Sequence, residues 1–284
     1  MNAPANTQNS VMDEQTALRT RMNKIKHKIA IISGKGGVGK TVTAVNLSIA
    51  FAMQGHKNRV GILDADLHGP CVPKMLGMED KKLKVGPIGA FPAVGPLGVK
   101  VASMAFVLAG KEVPVVWRGP LKMRAIEQLL SDIAWGELDF LLIDLPPGTG
   151  DEPLSVLKLL PEMDGVVIVT IPSEVSQTVV GKAITFARQL NVPIIGIVEN
   201  MSGFVCPDCG KETHIFKSGG GKKVAQEYSV PFLGSIPLDP RVCEASDLGQ
   251  PFVIEYPDSP ASKAFMAIVE KIKAYIQEKE SQST

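Results

Sequence analysis

The chain has 284 residues, of which 45% are hydrophobic and 21% charged, with a formal net charge of +1. That length supports one large α/β domain or two small ones, each with a real core. The near-neutral balance excludes a global field that would draw the chain to nucleic acid or to a membrane surface. Four cysteines, at 71, 206, 209 and 243, are too few for a disulfide scaffold. No run of about 18 apolar residues marks a transmembrane helix, and no basic-then-apolar leader marks secretion. A reducing cytoplasm is the expected compartment.

Residues 1–24 are polar, have little to bury, and read as a flexible or partly helical arm. The β-branched run Ile29–Ile32 then reads as a buried parallel strand. From Gly34 to Thr41 (Gly34-Lys35-Gly36-Gly37-Val38-Gly39-Lys40-Thr41) the spacing G-x-x-x-x-G-K-T is that of a phosphate-binding loop. Gly34, Gly36, Gly37 and Gly39 are expected to take φ > 0 and bring backbone N–H groups to phosphate oxygens. The N-terminus of the following helix adds partial positive charge. Lys40 is placed to reach the β- and γ-phosphates, and the Thr41 hydroxyl to ligate Mg²⁺.

After the loop, Val42, Val45, Leu47, Ile49 and Phe51 predict a helix that stops at Gly55. Strand-like runs recur at 59–64, 97–103, 139–144, 165–171, 194–199 and 231–235, with helical patterns at 120–134, 175–190 and 218–229. Residues 84–98 read as a loop or short hairpin, and Ala261–Gln277 as a helix docked on the core. This alternation predicts an α/β fold: a doubly wound, mostly parallel sheet with helices on both faces, as one domain over 25–280. Ligands are then expected where the loops 34–41, 64–70, 144–152 and 199–210 converge.

Two strand ends carry carboxylates: Asp64 and Asp66 after the first run, and Asp144 after Leu141-Leu142-Ile143. Alone, such aspartates are most often caps or turn residues. Behind a phosphate loop they suit Mg²⁺ and the attacking water. Gly148, in Pro146-Pro147-Gly148, is placed to offer its N–H to a γ-phosphate. Cys206-Pro207-Asp208-Cys209 has the C-x-x-C spacing, which three chemistries use: a redox dithiol, a zinc knuckle with His214 as a third ligand, or an iron–sulfur cluster. A cluster takes four thiolates, which two pairs from two subunits supply; on the residues alone, zinc is favoured. Cys71 and Cys243 are isolated and expected as small buried hydrophobes. His27, His56 and His68 lack ligand spacing and are expected on the surface or in loops.

Lys35 makes the loop G-K-G-G-x-G-K-T, which resembles the deviant Walker A loop of the MinD/ParA/nitrogenase-iron-protein class. That resemblance implies a lysine reaching across a dimer to the partner's nucleotide. Asp64–Pro70, Trp117–Pro120, Asp144–Glu152, Glu199–Gly203 and Pro237–Val242 together resemble the Mrp/ApbC family of iron–sulfur cluster carrier ATPases, over about residues 25–275. Carried over, the resemblance implies that Asp66 orients the hydrolytic water, and that Thr41, Asp66 and Asp144 form the Mg²⁺ shell. It implies that Asn200, Pro237 and Asp239 read the adenine, and that Cys206 and Cys209 bridge a [4Fe–4S] cluster between subunits, with zinc the lesser alternative.

The function so implied is a homodimeric Mg-ATPase that carries a cluster to apo iron–sulfur proteins, without nucleic acid or membrane as partner. A rival is a ParA/MinD-like positioning switch that binds DNA or membrane; the near-neutral charge and the cysteine pair speak against it. A third reading keeps the ATPase and makes the metal a structural zinc. Residues 1–28 carry no cysteine and are too short for the N-terminal accessory domain of many relatives. Only the bridging metal site is therefore expected.

Overall fold

Every residue of the run Ile29–Ile32 is buried, and successive residues serve opposite sides. Ile29 and Ile31 join one apolar cluster, Ala30 and Ile32 another. A strand that is apolar on both faces needs cover on both, and that need shapes the whole chain. In the computed structural model, which describes residues 16–107, 119–206 and 209–283, this run is the middle of a central strand.

The strands in chain order are β1 (Ile25–Ser33), β2 (Val60–Asp64), β3 (Lys84–Gly86), β4 (Gly89–Phe91), β5 (Ala93–Val94) and β6 (Lys100–Ser103). They continue with β7 (Leu138–Asp144), β8 (Gly165–Thr170), β9 (Ile194–Glu199), β10 (Phe204–Val205), β11 (Glu212–Thr213) and β12 (Phe232–Ser235). Eight form one sheet in the order β12-β9-β8-β1-β7-β2-β6-β5. All neighbours run parallel except the edge pair β5 and β6. The β3–β4 pair is a separate hairpin within the 84–98 segment.

The helices are α1 (residues 16–22), α2 (Lys40–Phe51), α3 (Val72–Met75), α4 (Gly119–Asp132) and α5 (Asp151–Leu159), then α6 (Glu174–Gln189), α7 (Gly220–Glu227), α8 (Pro240–Leu248), α9 (Phe252–Glu255) and α10 (Pro260–Ser283). One face of the sheet is covered by α2, α3, α8, α9 and α10, the other by α1, α4, α5, α6 and α7. This is the expected doubly wound arrangement, with strand ends within a residue or two of those predicted except for β1, which begins four residues early at Ile25, and β6, which begins at Lys100. Helix α2 is buried almost all round because α10 lies outside it and contributes Phe265, Ile268, Val269 and Ile272. Its polar residues are satisfied: Thr43 Oγ1 donates to Gly39 O at 2.8 Å within the first turn, and Asn46 Oδ1 accepts from Val253 N–H of α9 at 3.2 Å.

Several expectations need correction. The packed body begins before Ile25: Leu18 and Met22 of α1 are buried against the core that holds Trp135. Two apolar residues four apart make too short a stripe to register as a helical pattern. Cys71 and Cys243 are exposed, not buried. His27 is not in a loop but in β1, half-buried, its ring 5.0 Å from that of Phe140. Trp117 and Arg118 lie outside the described residues.

Candidate nucleotide and metal site

Strand β1 ends at Ser33, whose Oγ donates to Lys35 O at 2.9 Å and starts the turn into the phosphate loop. The glycines there divide their work differently from the expectation. Gly37 and Gly39 have φ of 78° and 79°, the left-handed region that favours glycine. Gly34 is needed for close approach instead, since a Cβ there would lie 2.5 Å from the Val179 carbonyl of α6. Lys35 is half-exposed at the start of the loop, and Gly36 and Gly37 are open to solvent.

Lys40 opens α2 with its side chain 7% exposed, and its Nζ lies 2.6 Å from Asp144 Oδ1. Thr41 Oγ1 donates to Asp144 Oδ2 at 2.7 Å, so one carboxylate holds both loop residues. Asp144 ends β7, directly in register with Asp64 at the end of β2, and both are fully buried. Burial, then the charge of Asp144, pushes the Asp64 carboxyl up to about 8. Burial raises Asp144 as well, opposed by Lys40 and Thr41. Two buried carboxyls beside one ammonium keep a proton between them. Asp144 has the lysine and the threonine hydroxyl, so it is the ionised member and Asp64 carries the proton.

The donor set of Thr41 hydroxyl and Asp144 carboxylate is hard oxygen with net negative charge, which fits Mg²⁺. That ion usually takes one or two carboxylates and completes its shell with water and substrate phosphate. Asp66 is half-exposed beyond β2; its Oδ1 accepts from the N–H groups of His68 and Gly69 at 3.1 and 3.2 Å. Gly148, with φ of 91°, donates its N–H to Ser33 O at 2.9 Å.

The loop after β9 closes the site from the other side. Asn200 is 8% exposed and its Nδ2 donates to Val38 O in the phosphate loop at 3.0 Å. Beside it, Glu199 is buried and accepts from Gly219 N–H at 2.9 Å, from Gly221 N–H and from Ser202 Oγ. Local spacing carries no signal of that clasp on the N-terminus of α7, because Glu199 and Gly219 are 20 positions apart. Pro237 and Asp239 line a cleft of about 350 Å³ with Phe204, Val205, Leu238 and Arg241. The Asp239 carboxylate is occupied: it takes Arg241 Nε and Nη2 at 2.9 and 2.7 Å.

Cys206 and Cys209 sit at the tip of the two-stranded β10–β11 hairpin, half-buried and exposed respectively. Cys206 N–H donates to Lys211 O at 3.0 Å, and Gly210 N–H to Cys206 O at 2.9 Å, which closes the tip. Among the described residues no group of three or more His, Cys, Asp or Glu is placed to hold one metal ion. His214, the expected third zinc ligand, therefore does not complete a set with the two thiols; its Nδ1 lies 3.7 Å from Glu212 Oε1.

Residues 24–273 match the family described as ParA: NUBPL iron-transfer P-loop NTPase. The chain is similar to the iron-sulfur cluster carrier protein of Saccharolobus solfataricus, 53% identical over 255 residues, 90% of this chain and 86% of that one. It is similar to the protein of the same name from Methanocaldococcus jannaschii, 51% identical over 278 residues, 98% and 94% of the two chains. A solved nucleotide-binding protein from Archaeoglobus fulgidus, in complex with ADP, superposes with a TM-score of 0.76 at 42% identity, covering 89% of this chain and 96% of that one. The cell division ATPase MinD of Pyrococcus furiosus superposes with a TM-score of 0.64 at 25% identity, covering 87% and 98%. The chain belongs to the NUBPL iron-transfer family of P-loop NTPases, alongside the iron–sulfur cluster carrier proteins.

Proposed function

We propose that the chain is an Mg²⁺-dependent ATPase that works as a homodimer, holds a [4Fe–4S] cluster between subunits and passes it to apo-proteins. The observation that carries this reading is the incomplete ligand set at the hairpin tip. A cluster and a zinc ion each take four ligands, and one chain brings two thiols to an exposed tip. A second copy supplies the other two, and the family places iron transfer in proteins of this kind.

Residues 25–280 act here as one ATPase domain in a reducing, cytoplasmic compartment, with neither nucleic acid nor membrane as partner. The loop N–H groups and Lys40 bind the β- and γ-phosphates. Thr41 and Asp144 would hold Mg²⁺, with Asp66 at its shell; when bound, the ion neutralises phosphate charge. Asp66, one oxygen tied by His68 and Gly69, turns the other toward the attacking water. Gly148 exchanges Ser33 O for a γ-phosphate oxygen, and Lys35 crosses to the partner's nucleotide. Asn200, Pro237 and Asp239 face the adenine; with its carboxylate on Arg241, Asp239 contributes backbone rather than charge.

Anaerobic reconstitution with iron and sulfide tests the reading. Wild type gains the thiolate-to-iron absorbance and loads an apo-ferredoxin, while the Cys206→Ser/Cys209→Ser variant gains none. A chain that takes up zinc and no iron reduces the function to an ATPase with a structural metal.

A further inference from the structure

The parallel pairing of β9 with β12 does not stop where the two strands end. Ile236 N–H donates to Glu199 O at 2.8 Å, Ser202 N–H to Ile236 O at 2.9 Å, and Leu238 N–H to Gly203 O at 2.7 Å. Phe204 then pairs with Leu238 in a parallel bridge, and the next residues are Val205 and Cys206. The chain that enters the cysteine hairpin is thus laced to the 236–238 segment. At its other end the same stretch begins on the phosphate loop, through the Asn200 Nδ2 bond to Val38 O. Gly39 packs so closely on Asn200 that no Cβ fits between them.

Both arms of the hairpin touch this stretch. Strand β10 continues it directly. Gly203, buried with φ of 76°, lies so near the second arm that a Cβ would meet Glu212 Oε1 at 2.7 Å. The cleft proposed for the base is lined by Phe204 and Val205 and by the neighbouring 237–239 segment to which they are paired. Its apolar lining suits a planar aromatic ring.

We propose that the Asn200–Val205 segment is a strut that transmits nucleotide occupancy to Cys206 and Cys209, with Phe204 and Leu238 as the residues on which the base closes. The inference rests on the placement of the base in this cleft. A ring seated on this paired ladder bears on both segments at once, and hydrogen-bonded neighbouring backbones shift together rather than leave buried groups unpaired. The phosphates act on the same strut through Val38 and Asn200. By reciprocity, whatever factor nucleotide imposes on a ligand held by the thiols, that ligand imposes on nucleotide affinity.

Thiol chemistry tests this without any cluster. In the full-length chain carrying Cys71→Ser and Cys243→Ser, which removes the two other exposed thiols, the rates of maleimide labelling at Cys206 and Cys209 are followed by peptide mass spectrometry. They are compared without nucleotide and with saturating Mg-ADP or a non-hydrolysable ATP analogue. The rate changes about fivefold or more on saturation, the low end of usual coupling between two sites. Leu238→Pro, which lacks the N–H given to Gly203, and Phe204→Ala each shrink the change below about twofold at concentrations that saturate that variant. Phe204→Ala serves alone where the proline variant does not fold. Equal rates with and without nucleotide in the parent chain, or an undiminished response in the variants, overturn the proposal. Nucleotide-sensitive thiols in a chain that takes up no iron support the strut and retire the carrier reading. Nucleotide-blind thiols in a chain that does take up iron have the reverse meaning.

Discussion

Replacing Asp64 by asparagine isolates the proton held between the two buried carboxyls. Asp64 is fully buried, and burial followed by the charge of Asp144 raises it from 3.8 to about 8. Its folded pKa lies above its unfolded one, so the native state binds the proton more tightly. That contribution to stability is complete below about pH 4 and is lost as pH rises toward about 8. Each pH unit in that window removes about 1 kcal/mol, so the whole rise removes a few kcal/mol. Asparagine is neutral throughout and loses none of it. Its cost is local. The side-chain oxygen can still accept from Ser103 Oγ and Val72 N–H, as Oδ2 does at 3.1 and 3.2 Å. The amide must then face Asp66 N–H, a bond of 3.3 Å, whose loss costs about 1 kcal/mol. Urea unfolding without Mg²⁺ or nucleotide should find Asp64→Asn about as stable as wild type near pH 5 and more stable by about 3 kcal/mol near pH 8. Asp139 does not interfere, because its own transition lies below about pH 4. Parallel stability–pH curves for the two proteins would refute the assignment of the proton to Asp64.

Asp139 shows the opposite sign: burial raises it, but hydrogen bonds from His56 and Lys26 outweigh that and hold it at about 2. Its stabilisation is present above about pH 4 and lost as pH falls toward 2, so Asp139→Asn flattens the acid limb and costs about 1–2 kcal/mol near neutrality, read from acid titration by circular dichroism. Met22→Ala empties a fully buried site outside the predicted domain boundary and lowers stability by about 2–4 kcal/mol in denaturant unfolding; a change under half a kilocalorie means α1 does not belong to the core. Lys35→Ala keeps ATP binding in calorimetry but slows phosphate release by about a hundredfold or more, as for a cation supplied in trans. An unchanged rate removes the cross-subunit role.

The parts of the site that were legible in the sequence are those where local spacing and chemistry coincide. The run Ile29–Ile32, the G-x-x-x-x-G-K-T spacing and the strand-end Asp144 depend on neighbours within a few residues, and they meet where expected, with Lys40 on Asp144. What was illegible depends on distant partners. That Gly34 serves close packing rather than a positive φ is decided by Val179 of α6. That Asp64 holds a proton is decided by its burial under the folded chain and then by cross-strand register with Asp144. Glu199 reads as an unremarkable strand end until Gly219 and Gly221 present their N–H groups to it. The exposure of Cys71 follows from the path of its loop, where Pro70 precedes it and α3 begins at Val72, and a lone small residue carries no signal of that path.

The central claim is that two chains share one cluster through Cys206 and Cys209. Native mass spectrometry of the anaerobically reconstituted protein tests it most directly, because it weighs chains and cluster together. The account predicts a species of two chains with about four irons and four sulfides, absent from the Cys206→Ser/Cys209→Ser variant. Iron bound to single chains, a cluster that persists in the double-serine variant, or a dimer holding only zinc would contradict it.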